Sequence, residues 1–155
     1  MAYSLSAIIA RSSVLQQQAQ IVPIVKVGQD LVMVPVTSEV LNLINNGVEK
    51  PSRLLPQHFE YYFSSMAEWM MRISEKGPIA YVEAEFHGGT GDQAVVVWRN
   101  QKILMSVRAI GAINKALGLL GVKAKVPRLA DSSDVYAGDE FETVGLNRHR
   151  STEEW

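Results

Sequence analysis

The sequence predicts an α+β fold, a mainly antiparallel sheet of about five strands with helices packed on one face. Three observations carry this expectation. Between Ile79 and Val107 three runs of alternating apolar and polar residues are separated by Gly88-Gly89-Thr90-Gly91-Asp92 and by Asn100-Gln101, the pattern of a hairpin meander. Two β-branched runs, Ile21 to Val27 and Leu31 to Val36, flank Gly28-Gln29-Asp30 as a second hairpin would. Phe59, Tyr62, Phe63, Met66, Trp69, Met70 and Ile73 trace one helical stripe, the way an amphipathic helix attaches to a sheet.

Taken in order, Leu5, Ile8, Ile9 and Leu15 recur at helical spacing and predict a first helix ahead of the glutamine-rich stretch from Gln16 to Gln20. The first hairpin follows. Its prolines, Pro23 and Pro35, belong at strand ends or on an exposed edge, because proline cannot donate to a ladder. Thr37 and Ser38 offer capping hydroxyls, and Glu39 suits the positive end of a short second helix through Val40, Leu41, Leu43 and Ile44. The aromatic helix ends at Gly77-Pro78, where the meander begins. Ile110, Ile113, Leu117 and Leu120 then predict a helix closed by Gly121, with Gly111 and Gly118 weakening it while permitting close packing. From Val122 onward the pattern thins into a loop, and Asp139 to Val144 reads as one helical turn closed by Gly145. Phe141, Leu146 and Trp155 are large apolar residues in this polar stretch, so the segment 122–155 is expected to dock on a single domain spanning 1–155.

Composition narrows the function classes. Fifteen basic against sixteen acidic residues leave a formal charge of −1, which supplies no field for gathering nucleic acid or anionic lipid. With 47% hydrophobic and 20% charged residues, the chain sits among ordinary globular domains rather than disordered ones. The absence of cysteine removes disulfides, thiol nucleophiles and thiolate metal sites, and suits a reducing cytoplasm. The apolar run Leu5 to Ala10 has no basic segment before it and is interrupted by Arg11, so it is too short and wrongly flanked for a signal peptide. No run approaches the ~20 apolar residues of a membrane span.

The most suggestive residues lie in Tyr81-Val82-Glu83-Ala84-Glu85-Phe86-His87. In an extended strand Tyr81, Glu83, Glu85 and His87 share one face, expected to be open, while Ala80, Val82, Ala84 and Phe86 face the core beneath the aromatic helix. Two carboxylates and an imidazole can ligate a divalent metal, serve as acid and base, recognise a partner, or simply solvate a sheet face. The adjoining turn, with Gly89 and Asp92, lacks the lysine and the following helix of a phosphate-binding loop. Arg148 and His149, within the docking segment, either neutralise a phosphate, pair with carboxylates such as Asp139, Glu140 and Glu142, or carry solvated charge. His58, at the start of the aromatic helix, fits a structural role. No serine lies in a nucleophile-elbow pattern, no complete catalytic signature is present, and no cofactor is implied.

The segments Tyr81 to Trp98 and Asp139 to Trp155 resemble small bacterial proteins, some of them similar in size and style to immunity proteins of toxin systems. The open sheet face, the Gly88 to Asp92 turn and the docked tail predict a non-enzymatic binding protein that occludes a protein partner, and the immunity role that the resemblance implies fits it. The binding residues would be Tyr81, Glu83, Glu85, His87, Gly89, Asp92, Arg148 and His149. A small metal-assisted hydrolase or ligand-binding domain centred on Glu83, Glu85 and His87 is the alternative expectation.

Overall fold

A computed structural model describes residues 3–45, 59, 64–87, 90–123, 144–146 and 152. The elements run β1 (Tyr3–Arg11), α1 (Ser12–Leu15), β2 (Val25–Lys26), β3 (Leu31–Pro35), α2 (Ser38–Asn45), α3 (Ser64–Ile73), β4 (Ile79–His87), β5 (Thr90–Arg99), β6 (Lys102–Arg108) and α4 (Ala112–Leu119). The strands form one sheet of six in the order β2-β3-β1-β4-β5-β6, every neighbour antiparallel. The α+β class and the antiparallel sheet are as the sequence predicts, with one strand more.

That extra strand is β1, and it replaces the expected first helix. Leu5, Ala7 and Ile9 enter one apolar cluster while Ile8 and Ala10 enter another, so the run is buried on both faces at the middle of the sheet. A doubly buried strand reads as a continuous apolar stretch in which helical and extended spacing are indistinguishable. Helix begins only at Ser12 and lasts four residues.

The same logic places helices on both faces rather than one. Val95, Val96 and Val97 are all fully buried, and their side chains alternate between the two clusters. On one face Leu5, Met33, Val82, Val95 and Val97 pack with Ile113, Ala116 and Leu117 of α4. On the other, Ile8, Val34, Tyr81 and Val96 pack with Val40 of α2 and with Met66, Trp69, Met70 and Ile73 of α3. The aromatic helix therefore covers the odd-numbered face of β4, and Ala80, Val82 and Ala84 lie in the cluster that contains α4. Tyr62 and Phe63 of the predicted stripe, along with His58, fall outside the described residues.

Local chemistry fixes the turns. The β2 to β3 hairpin turns on Gln29 and Asp30 at φ 57° and 60°, and the β5 to β6 hairpin on Asn100 and Gln101 at φ 50° and 64°. Consecutive left-handed residues are what a two-residue hairpin loop requires, because their twist matches that of the strands. Each turn is also held from outside. Ser74, buried just after α3, accepts the Asn100 N–H on its carbonyl and the Gln101 N–H on its Oγ at 2.9 Å. Pro35 stands at the end of β3, as expected, and β2 is only two residues long and begins beyond Pro23. The Thr37 hydroxyl accepts the Val40 N–H at 3.3 Å, capping α2. Gly121, at φ 92°, ends α4 against Arg11, whose guanidinium a Cβ there would strike at 2.5 Å. At Gly118 the expectation of close packing does not hold, since a Cβ would meet nothing within 4 Å.

Val144 and Leu146 are buried in the α4-side cluster, and the Leu146 carbonyl accepts the Tyr3 hydroxyl at 2.8 Å. Gly145 adopts the left-handed conformation at φ 83°, while the predicted turn before it, Phe141 and Trp155 fall outside the described residues. Among the described residues no helix is long and apolar enough to cross a membrane.

Candidate functional site

The odd-numbered side chains of β4 run from sealed to open. Tyr81 is fully buried, its ring 5.6 Å from that of Phe59, Glu83 is half-buried, and the Glu85 and His87 side chains are 60% and 65% exposed. The expectation that Tyr81 presents itself on an open face is thus corrected. α3 ends the apolar part of this face at Tyr81, and the phenol satisfies its hydroxyl by donating to Glu83 Oε1 at 2.6 Å. A buried phenol needs such an acceptor, and the carboxylate two residues along the same face supplies it.

Neighbouring strands extend the polar end. In β1, Ser4 stands opposite Glu85 and Ser6 opposite Glu83; in β5, Asp92 stands opposite Glu85 and Ala94 opposite Glu83. Arg108 in β6 is across from Ala94 and forms an ion pair with Asp92. Glu85 and Asp92 are like charges directly opposite on one face, an arrangement that disfavours a sheet. Arg108, which donates to Asp92, offsets this, and His87 Nε2 lies 2.8 Å from Glu85 Oε1 as a hydrogen-bond partner. These pairs are exposed, so they orient the side chains more than they stabilise the fold. The resulting strip holds three carboxylates, one guanidinium and one imidazole.

Glycine fixes the end of the hairpin. Gly91 is opposite Phe86, and a Cβ there would lie 2.2 Å from the Phe86 ring and 2.3 Å from the Glu85 carbonyl. Phe86 in turn points to the α4-side cluster and meets Tyr3 at a ring separation of 6.5 Å. Gly91 therefore permits the close approach of the two strands beside Glu85, whose carbonyl a larger residue would have to displace.

Glu83, Glu85 and His87 form a row and not a cluster. Alternate side chains along a strand are separated by roughly 6.5–7 Å, Glu83 is engaged by Tyr81, and Glu85 faces His87. Among the described residues no group of three or more His, Asp and Glu stands close enough to hold a metal ion. Gly89, Arg148 and His149 lie outside the described residues.

Contributors from three parts of the chain escaped the sequence reading. Ser4 and Ser6 join this face only once the first segment is read as a strand, and Arg108 only once the β5–β6 register is known. The third is Thr152, whose Oγ accepts the Ser6 N–H at 2.9 Å. It takes that position beside the Ser6 carbonyl, which accepts the Val36 N–H at 2.8 Å just past the end of β3 at Pro35. No signal in the sequence marks that pairing. No family model, no curated protein and no solved structure matches this chain.

Proposed function

We propose that this chain is a non-enzymatic binding protein that occludes a protein partner, with the charged strip of Glu83, Glu85, His87, Asp92 and Arg108 as the contact surface. The observation that carries the reading is the graded exposure of β4: rigidly paired on both sides, it buries Tyr81 and holds out Glu85 and His87. Side chains fixed on a sheet present a defined charge pattern at low cost in backbone ordering. Three carboxylates against one arginine make that pattern acidic, which favours a basic partner and accelerates encounter with it.

The specific form we propose is a cytoplasmic immunity protein that neutralises a bacterial toxin by covering a basic surface of the toxin. The resemblance of Tyr81 to Trp98 to such proteins and the absence of cysteine support this form. Affinity capture from the source organism tests it. The wild-type chain is expected to recover one stoichiometric partner that Glu85→Lys fails to recover; equal recovery by both chains contradicts the assignment of the surface. Glu85 is the better probe than Glu83, because Glu83 also accepts the buried Tyr81 hydroxyl.

A further inference from the structure

The two edges of the sheet differ. One is β2, two residues long; the other is β6, seven residues long, which borders no strand but β5 among the described residues. Natural sheets keep an outer strand short or charged, because its backbone groups offer pairing to other chains. β6 instead carries Ile103 and Leu104, 41% and 49% exposed, and Ile110 just beyond it is 64% exposed. Leu104 is the extra residue of a bulge: Val97 stands opposite Met105 and Trp98 opposite Ile103, so no β5 residue faces it. A bulge of this kind bends the strand and re-aims a side chain.

This edge is also of one sign. From Gln93 to Lys123 the sequence has five basic residues, Arg99, Lys102, Arg108, Lys115 and Lys123, and no acidic one, a concentration that the net charge of −1 conceals. Arg108 is paired with Asp92. Arg99 and Lys102 stand directly opposite each other, both exposed, and neither is in an ion pair among the described residues. Like charges in that relation work against the hairpin. Glu75 reaches the same turn, but it accepts from Gln101 Nε2. The fold therefore leaves a positive pair unanswered beside exposed apolar side chains.

These features select among occupants. A second copy of β6, laid antiparallel about Met105, would set each Lys102 against the other copy's Arg108, again like against like. A lipid surface would leave the backbone groups of an open edge without partners. An extended acidic segment meets all three demands, pairing its backbone with the edge, its apolar side chains with Ile103 and Leu104, and its carboxylates with Arg99 and Lys102. Lys102 and Ile103 point to opposite faces, so acidic and apolar residues must alternate along it.

We propose that β6 is a strand-addition site for an extended segment of another protein in which acidic and apolar residues alternate, with a carboxylate at the Arg99 and Lys102 end. The site lies at the opposite end of β6 from Arg108 and the acidic strip, and it takes a partner of opposite charge. Selection of a displayed library of random ten-residue peptides on the full chain tests it. The enriched peptides are expected to alternate Asp or Glu with Val, Ile or Leu, and the best of them, synthesised, to slow amide exchange in β6. Lys102→Glu, which keeps the hairpin by setting an acid opposite Arg99, is expected to weaken that peptide about tenfold. No enrichment, enriched peptides without acidic residues, or equal binding to Lys102→Glu would each overturn the proposal. So would self-association of the chain that Lys102→Glu abolishes, which would make a second copy the occupant. Binding to phosphatidylserine vesicles that Lys102→Glu abolishes, with no peptide enriched, would assign the edge to a lipid surface instead.

Discussion

The Tyr81 hydroxyl donates to Glu83 Oε1 at 2.6 Å, and this bond joins the sealed half of a sheet face to its open half. Below it lie Met66, Met70 and Ile8; above it lie Glu85 and His87. The bond gives the strip a rigid inner end, because Tyr81 is held by packing and Glu83 is held by Tyr81.

Tyr81→Phe keeps the ring and removes the donor, leaving a half-buried carboxylate less well satisfied. The expected cost is roughly 1.5–3 kcal/mol of folding stability, the range for losing a hydrogen bond to a charged group. A denaturant melt checks it, and a midpoint equal to wild type would show that Glu83 does not depend on Tyr81.

Met66→Ala opens a cavity beneath α3, where Met66 is fully buried against the Tyr81 side of the sheet. A loss of about 2–5 kcal/mol is expected. Chemical denaturation measures it, and a loss below 1 kcal/mol would mean that α3 does not close this core.

Gln93→Leu is expected to destabilise the fold even though it adds apolar volume to an apolar face. Gln93 is buried, and its Oε1 accepts the Ile113 N–H at 3.0 Å in the first turn of α4. Leucine leaves that buried N–H without its acceptor, at a cost of roughly 1–3 kcal/mol. Thermal unfolding of the variant checks the direction; a gain in stability would contradict the capping role.

Much of the architecture was legible in the sequence. The meander from Ile79 to Arg108, the hairpin turns at Gln29 and Asn100, and the stripe through Met66, Trp69 and Met70 each carry a periodicity or a turn signal that fits one structure only. The first strand did not, because Ala7 to Ala10 is apolar on both faces and erases the alternation that marks a strand. The sequence places the aromatic helix over Ala80, Val82 and Ala84, whereas it covers the Tyr81 side of β4, for a related reason. Small residues such as Ala80 and Ala84 line one core, whereas Tyr81 begins the other, and alternation alone does not say which helix covers which side. Gln93 as a cap and Thr152 as a partner of Ser6 depend on register and on long-range closure, which a linear pattern does not encode.

The most direct measurement of the central claim is the association rate of the captured partner with wild-type and Glu85→Lys chains across a range of ionic strength. An acidic steering surface is expected to give a slower association for Glu85→Lys at low salt, with the difference shrinking as salt screens the charges. Identical rates for the two chains at low salt would contradict the assignment of the β4 strip as the contact surface.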